Sequence, residues 1–309
     1  MAKHVAVLKG GWSVEREVSL VSGAAVAKAL REINYEVSEI DVTVNIAQDL
    51  ATLKPDVVFN ALHGRWGEDG SMQGVLEILQ IPYSHSGVAA SAMAMDKILS
   101  KKLFQTAGIP TAEDKIVTKA ELFSDDPLPR PFVVKPYNEG SSVGVIIVRA
   151  GDKFDPDRAG PWQNTDQLMV EKYLPGRELT VSVMDGKALA VTELKPRAGF
   201  YDYEAKYQEG KTDHIIPAQL DRRMTDLIMK HAEKAHNILG CRGVTRSDFR
   251  LDDGPGGDWP AGDGIPYILE INTQPGMTPL SLVPEQARHG GMTFAQLVSW
   301  MVEDASCGR

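Results

Sequence analysis

Short apolar strands alternate with helix-like segments in the N-terminal part of the chain, and this alternation restricts the fold more than any other feature. Strand-like residues occupy 5–8, 36–41 and 57–62, and helix-like residues occupy 18–31 and 72–79. Such spacing is typical of a parallel sheet covered by helices. Ligands of these sheets bind beyond the carboxyl ends of the strands. The sequence therefore predicts a parallel α/β domain with a binding site at that edge.

The segments after residue 88 are typical of antiparallel sheets. A helix is predicted over 89–107, and a proline-rich stretch then leads into a strand at 132–135. Further strands are predicted at 145–148, 168–173, 178–184 and 188–194, and a further helix at 224–239. Pro175-Gly176 marks a change between lobes. We therefore expect an α/β chain, α+β overall, with three domains at 1–88, 89–175 and 176–309.

Two strand-like stretches near the C-terminus each carry a polar pair where a core would need apolar residues. Arg246 and Asp248 share one face of the first stretch, and Glu270 and Asn272 share one face of the second. The segment between them, 252–264, is rich in Gly, Asp and Pro, which predicts a long hairpin loop. The four polar side chains are therefore expected to form one patch on a sheet.

The patch has two interpretations. Adjacent carboxylates repel each other unless a cation lies between them, and an all-oxygen ligand set suits Mg²⁺ or Mn²⁺, which usually share their coordination shell with nucleotide phosphates. The alternative is a surface ion pair between Arg246 and one of the two carboxylates, and such pairs contribute little to stability. The residues of the patch alone leave both interpretations open.

Other segments suggest a nucleotide and an enclosed substrate. Lys135 precedes the small-residue turn 139–144, whose amides and serines could contact an anion, although a plain hairpin turn is the alternative. The strand around Glu171 and the following Glu178 could hold a base and a ribose, or could simply be solvated. The Tyr-rich segment 199–207 could be a lid that excludes water, or a surface loop.

Two further segments could contact a substrate. Glu15 lies at the start of a predicted helix, where it could bind an ammonium group or simply complement the helix dipole. Gly276 and Ser281 follow the second polar strand and could present donors to an oxyanion and a carboxylate. An ordinary Pro-Gly turn is the alternative for this last segment.

Composition excludes several classes of protein. The 309 residues carry a formal net charge of -9, which argues against nucleic-acid binding. No apolar run reaches membrane-spanning length, and the N-terminus enters a strand directly, so neither a membrane span nor a signal peptide is expected. Cys241 and Cys307 are the two cysteines, which fits a reducing cytoplasm and suggests no disulfide framework.

Six segments in this order resemble the D-alanine–D-alanine ligase family of the ATP-grasp superfamily. They are Glu15-Arg16-Glu17-Val18-Ser19, His63-Gly64-Arg65 with Gly67-Glu68-Asp69-Gly70, Met95-Asp96-Lys97, Lys135-Pro136 with Glu139-Gly140-Ser141-Ser142-Val143-Gly144, Tyr201-Asp202-Tyr203-Glu204-Ala205-Lys206-Tyr207, and residues 272–282. The resemblance spans nearly the whole chain. It implies a three-lobed ATP-grasp architecture, in which a Rossmann-like N-terminal domain precedes two lobes that clasp ATP.

The resemblance also implies a role for individual residues. The residues implied to bind ATP are Lys97, Lys135, Ser142, Glu171, Lys172, Leu174, Glu178 and Lys206. Those implied to bind two Mg²⁺ or Mn²⁺ ions are Asp248, Glu270 and Asn272. Those implied to bind the two D-alanines are Glu15, His63, Lys206 and Ser281. Those implied to take part in catalysis are Glu15, Ser141, Tyr207, Arg246, Gly276 and Ser281.

The implied activity is ATP-dependent formation of D-alanyl-D-alanine through a D-alanyl phosphate, for peptidoglycan precursor synthesis. A ligase that joins D-alanine to D-lactate or D-serine is the alternative, and the intact Lys206-Tyr207 pair argues against it. A non-catalytic nucleotide-binding regulator would be expected to lack Arg246, Asn272 or Lys135, and all three are present. We expect small-molecule partners only, a homodimer and a cytoplasmic location. Departures from the family pattern are Trp66, Gln274 and Pro279-Leu280, together with the long segment 252–264 and the residues flanking Asp248.

Overall fold

The computed structural model describes residues 2–140, 144–152, 162, 166–197, 210–252 and 264–308. The helices of this part of the chain are α1 Arg16–Glu32, α2 Ile46–Leu53, α3 Ser71–Leu79, α4 Val88–Met95, α5 Lys97–Thr106, α6 Lys119–Ser124, α7 Arg222–Ile238, α8 Leu282–His289 and α9 Phe294–Glu303. The strands are β1 His4–Lys9, β2 Glu36–Asp41, β3 Val57–Asn60, β4 Asp114–Thr118, β5 Phe132–Lys135, β6 Ile146–Val148, β7 Gln167–Lys172, β8 Arg177–Met184, β9 Lys187–Pro196, β10 Thr212–Ile215, β11 Val244–Asp252 and β12 Ile265–Asn272.

The N-terminal strands form a parallel sheet of order β2-β1-β3, which confirms the predicted α/β arrangement. Residues 5–8 of β1 are fully buried, and all four residues of β3 are buried. A strand that is covered on both faces cannot alternate between polar and apolar residues, so the continuous apolar run in β1 follows from its central position.

The remaining strands form two antiparallel sheets, as the sequence predicts. One has four strands in the order β4-β7-β5-β6, and the other has five in the order β10-β9-β8-β11-β12. The turn between β8 and β9 contains Asp185 and Gly186 at φ 52 and φ 71. Consecutive positive φ angles favour Asp-Gly in tight hairpins, and this preference explains why the hairpin is predictable from sequence.

The prediction of a single helix over 89–107 is wrong, because two helices, α4 and α5, occupy this range. Asp96 separates α4 from α5 with an extended backbone, at φ -84 and ψ 101. Its carboxylate accepts hydrogen bonds from the N–H groups of Ile98 and Leu99, so Asp96 caps α5. A side-chain cap satisfies amides that have no partner at a helix start. The break gives Lys97 the first position of α5.

The hydrophobic cores connect segments that are far apart in sequence. Phe104 of α5 shares one core with Ile228 of α7 and Phe249 of β11. Val7 of β1 shares a second core with Val283 of α8, so the C-terminal helices pack on the N-terminal sheet. Burial of apolar surface across these contacts fixes the loops that follow β3 and β12 near each other.

Several elements were not anticipated from the sequence. They are α2, α6, α8, α9, β4 and β10. The Tyr-rich segment 199–207 and most of the segment 252–264 lie outside the described residues. Among the helices of the described ranges, none combines the length and apolar character needed to cross a membrane.

Gln286 of α8 fills an irregularity in the five-stranded sheet. The pairing of β8 with β9 shifts register around Ser182, whose N–H donates to Gln286 Oε1 at 2.8 Å. Gln286 Nε2 donates to the Thr180 carbonyl at 3.2 Å and to Thr192 Oγ1 at 3.1 Å. The side-chain amide thus replaces the missing strand partner and attaches α8 to the sheet.

We predict that Gln286→Leu lowers the free energy of unfolding by about 3 kcal/mol, because it leaves buried backbone groups without hydrogen-bond partners. Urea denaturation followed by circular dichroism measures the change. The control is Gln48→Leu on the exposed face of α2, which should have little effect. Equal stability of the two variants would contradict the bridging role of Gln286.

Candidate active site

Two pockets adjoin each other and share Glu270. The first comprises ≈ 830 Å³ of open space and the second ≈ 650 Å³, solvent at their mouths included. The predicted residues on the first are Lys97, Lys135, Glu171, Lys172, Leu174, Glu178, Asp248 and Glu270. Those on the second are Glu15, His63, Arg246, Glu270, Asn272, Gly276 and Ser281. Residues that were assigned to nucleotide and to amino-acid substrate from sequence therefore separate into two neighbouring cavities.

The two polar strands pair as predicted. Arg246 lies opposite Asn272, and Asp248 lies opposite Glu270. Arg246 Nε and Nη2 donate to the two oxygens of Asp248 at 2.9 and 2.8 Å, and Asn272 Nδ2 donates to Asp248 Oδ2 at 3.2 Å. The side chains of Arg246 and Asp248 are only 16% and 14% exposed. The anticipated ion pair therefore exists, but it lies within the pocket walls rather than on the surface.

Two lysines of the first pocket pair with carboxylates. Lys97 Nζ lies 3.1 Å from Glu270 Oε2 and donates to the Glu139 carbonyl at 2.8 Å. Lys135 Nζ lies 2.6 Å from Glu171 Oε2. Burial alone would lower the pKa of Lys135, but the nearby carboxylates, of which Glu171 contributes most, together outweigh burial and raise it. Lys135 is consequently a buried, fixed cation rather than a solvated side chain.

Glu171 is buried rather than solvated. Burial favours its neutral form, yet Lys135 and Lys101 together hold the pKa of Glu171 below its usual value. The N–H of Lys172 donates to the Glu113 carbonyl at 2.9 Å. Glu178 Oε2 lies 2.9 Å from Arg250 Nη2. Lys101 was not predicted from the sequence as a site residue. The available signal was its position one helical turn after Lys97.

Glu15 lies in the second pocket with 4% of its surface exposed. A Cβ at Gly64 would lie 2.3 Å from Glu15 Oε2, and one at Gly140 would lie 3.0 Å from the same atom. Gly64 also has φ +70, which disfavours any side chain. The two glycines therefore allow the loops after β3 and β5 to approach the Glu15 carboxylate closely.

His63 faces the second pocket but has both ring nitrogens engaged. Nδ1 lies 3.2 Å from the Gln274 carbonyl, and Nε2 lies 3.0 Å from Ser22 Oγ, which itself accepts the Met277 N–H. A carbonyl can only accept, so the proton is on Nδ1 and Ser22 donates to Nε2. Burial lowers the pKa of His63 to about 4. His63 therefore links the loop after β3 to the loop after β12 as a neutral ring.

Gly276 and Ser281 lie together just before α8. Ser281 Oγ accepts the N–H of Thr278 at 2.9 Å. A Cβ at Gly276 would lie 2.9 Å from Ser281 Oγ, so only glycine leaves the serine hydroxyl in place. Pro279 and Leu280 do not displace Ser281 from the pocket, which both Leu280 and Ser281 line.

Glu68 and Gln274 belong to segments that carry the family resemblance but have no role implied by it, and both line the second pocket. Burial raises the pKa of Glu68 to about 8, and the nearby Glu15 carboxylate adds to the effect. Gln274 is buried and its side chain donates to the Leu62 carbonyl at 2.5 Å and accepts from Asn60 Nδ2 at 2.9 Å. The departure at Gln274 therefore joins the two loops that form the pocket.

Four predicted site residues, Ser141, Ser142, Lys206 and Tyr207, lie outside the described residues. Within the described ranges, no group of three or more His, Cys, Asp or Glu side chains could hold a metal ion. Asp248 and Glu270 supply two carboxylates and Asn272 an amide oxygen. This set fits Mg²⁺, which typically takes one or two carboxylates and completes its shell with phosphates and water.

The chain matches two family models and many known proteins. The model described as "D-ala D-ala ligase C-terminus" matches residues 103–303, and the one described as "D-ala D-ala ligase N-terminus" matches residues 44–86. A D-alanine--D-alanine ligase of Parvibaculum lavamentivorans is 53% identical over 100% of this chain and 99% of its own length. One from Acidiphilium cryptum is 55% identical over 99% of both chains. The crystal structure of a D-alanine--D-alanine ligase from Bacillus anthracis complexed with ATP has a TM-score of 0.81, with 32% identity over 98% of this chain and 97% of that one.

We predict that His63 contributes to the pH dependence of stability. The unfolded chain binds a proton at this histidine below pH 6.5, whereas the folded chain does so only near pH 4, so the free energy of unfolding falls as pH decreases through this range. Between pH 7 and pH 5 this loss is about 2 kcal/mol. Denaturation of His63→Gln should show a correspondingly shallower dependence. The control His289→Gln, at an exposed position, should retain the wild-type dependence, and a His63→Gln variant that also retained it would contradict the prediction.

Proposed function

This chain belongs to the D-alanine–D-alanine ligase family, and on that premise we propose how its side chains carry out the ATP-dependent ligation of two D-alanine molecules. The observation that carries the proposal is the position of Glu270 in the wall between the two pockets, with Lys97 bound to it. Phosphoryl transfer needs the nucleotide and the amino acid to meet at one wall. The product, D-alanyl-D-alanine, serves peptidoglycan precursor synthesis.

The first pocket binds ATP in this proposal. Lys97 and Lys135 bind the phosphates, and both already lie beside carboxylates on the pocket wall. The base lies against the strand end formed by Glu171, Lys172 and Leu174. The remaining contacts, proposed from the family resemblance, are Glu178 with the ribose and Ser142 and Lys206 with the nucleotide.

Asp248, Glu270 and Asn272 would hold the Mg²⁺ or Mn²⁺ ions that accompany ATP. Bound there, the metal would neutralise negative charge that develops on the phosphates. Lys97 pairs with Glu270 and Arg246 pairs with Asp248, so each of the two carboxylates already has a cationic partner. The carboxylates are thus held in position before any metal binds.

The second pocket binds both D-alanines. Glu15 accepts the ammonium group of the first, whose carboxylate oxygen attacks the γ-phosphorus of ATP, so that ADP leaves and D-alanyl phosphate forms. Ser281 and Lys206 bind the carboxylate of the second, and Ser141 and Tyr207 complete the contacts around Glu15. His63 supports the pocket wall as a neutral ring through its bonds to Ser22 and Gln274.

The amine of the second D-alanine then attacks the acyl carbon. The guanidinium of Arg246 and the N–H of Gly276 stabilise the oxyanion of the tetrahedral intermediate, and removal of one such donor costs about 3 kcal/mol in other enzymes. The intermediate collapses with cleavage of the carbon–oxygen bond to phosphate, which leaves the dipeptide and inorganic phosphate.

The three proposed domains, 1–88, 89–175 and 176–309, are supported by the sheets, because each contains one complete sheet. A cytoplasmic location is proposed because the reaction consumes ATP. The homodimer expected from the sequence stays a prediction.

Phosphate release from ATP tests the choice of substrate. The protein should release phosphate and form a dipeptide with D-alanine alone, and should do so far more slowly with L-alanine. Adding D-serine or D-lactate with D-alanine, and identifying the products by mass spectrometry, tests the alternative acceptors. Equal activity with L-alanine would contradict the proposed substrate, and a predominant depsipeptide product would favour the D-lactate alternative.

We predict that Glu270→Gln lowers kcat by at least about 100-fold with an unchanged circular dichroism spectrum, because it removes a carboxylate from the wall between the pockets. Binding of Mn²⁺ in the presence of ADP, measured by electron paramagnetic resonance, should weaken in parallel. The control Glu17→Gln, at an exposed position of α1, should leave both measurements unchanged. Near-normal turnover by Glu270→Gln would refute the metal assignment.

A further inference from the structure

Lys101 is a buried lysine outside the lining of both pockets. It lies on α5, four residues after Lys97, and is 2% exposed. Its Nζ has three partners, the Glu171 Oε1 at 2.6 Å, the Asp114 Oδ1 at 2.7 Å and the Ala112 carbonyl at 2.8 Å. An ammonium group has three hydrogens, so all of them are used. Because every hydrogen of the ammonium group is bonded, the Lys101 side chain is fixed in position.

Glu171 lies between two lysines. Lys101 binds its Oε1 and Lys135 binds its Oε2, each at 2.6 Å. Asp114 is the direct cross-strand neighbour of Glu171. Two carboxylates in that position destabilise a sheet, and Lys101 compensates for both. The carboxylate plane of Glu171 is therefore determined by a cation on each side.

Glu171 nevertheless faces the first pocket, which it lines together with Lys135 and Leu174. Each carboxylate oxygen has about two lone-pair directions, so a carboxylate with one lysine on each oxygen can still accept a further hydrogen bond. The same two lysines keep the Glu171 carboxylate ionised, so it can accept hydrogen bonds but cannot donate them. Adenine offers an amino group at its six-position, whereas guanine offers a carbonyl there, which an ionised carboxylate would repel.

We propose that Lys101 is a positioning residue that orients Glu171 toward the amino group of adenine and so makes the enzyme select ATP over GTP. The inference rests on the proposed binding of ATP in the first pocket. Lys101 does not touch the nucleotide. Without it, one oxygen of Glu171 loses its anchor and the carboxylate can turn toward Lys135 alone, which removes the acceptor from the base and shifts a phosphate-binding lysine as well.

The test compares Lys101→Met with a matched control, Lys9→Met, which removes a lysine paired with Glu39 in the N-terminal sheet. Isothermal titration with ADP and GDP measures binding independently of turnover, and phosphate release with D-alanine gives kcat and KM for ATP and GTP. Loss of one charged hydrogen bond corresponds to a factor of about ten. We expect Lys101→Met to weaken ADP binding and to reduce the ATP-over-GTP preference by about tenfold each. Lys9→Met should change neither.

A purely structural role would lower the stability of Lys101→Met while the ADP-to-GDP affinity ratio stays at the wild-type value, and that result would overturn the proposal. If Lys101→Met does not fold, the double variant Lys101→Met with Asp114→Asn, which has one unpaired carboxylate fewer, is measured against the same criterion. Wild-type protein that does not bind ADP would instead refute the proposed function. Wild-type protein that binds ADP and GDP equally would refute the inference alone.

Discussion

The site depends on two carboxylates, Asp248 and Glu270, that lie directly opposite each other on paired strands. Such a pair is unfavourable in a partly buried wall unless cations are close. Arg246 supplies one from the same strand, and Lys97 supplies the other from the start of α5. The need for charge compensation therefore draws separate elements to one wall, and the same charges make that wall suitable for metal and phosphates.

Helix α5 connects the two antiparallel sheets on either side of the first pocket. Its first residue, Lys97, contacts Glu270 of the five-stranded sheet, and Lys101 one turn later contacts Glu171 of the four-stranded sheet. The cap at Asp96 sets where the helix begins and hence the positions of both lysines. One helix start thus sets the contact to Glu270 on one wall of the first pocket and the contact to Glu171 on the other.

Buried amides connect the loops that form the second pocket. Gln274 joins the loop after β12 to the loop after β3 through Asn60 and the Leu62 carbonyl, and the His63 ring makes a second connection to the Gln274 backbone. These bonds are made by neutral groups and do not involve the Glu15 carboxylate, which lines the same pocket. Gln274, a departure from the family pattern in the sequence, is therefore part of the support of the site.

The sequence by itself determined the parallel N-terminal sheet, the Asp185-Gly186 hairpin and the polar pairs around Asp248, because each depends on a local period or on turn geometry. It did not determine the break at Asp96, where a polar side chain satisfied amides inside an apparently continuous helix. Only the tertiary structure decided that Lys101 would be buried between two carboxylates and that Gln274 would bridge two lobes. Burial and charge compensation depend on partners that are distant in sequence, and no local pattern specifies them.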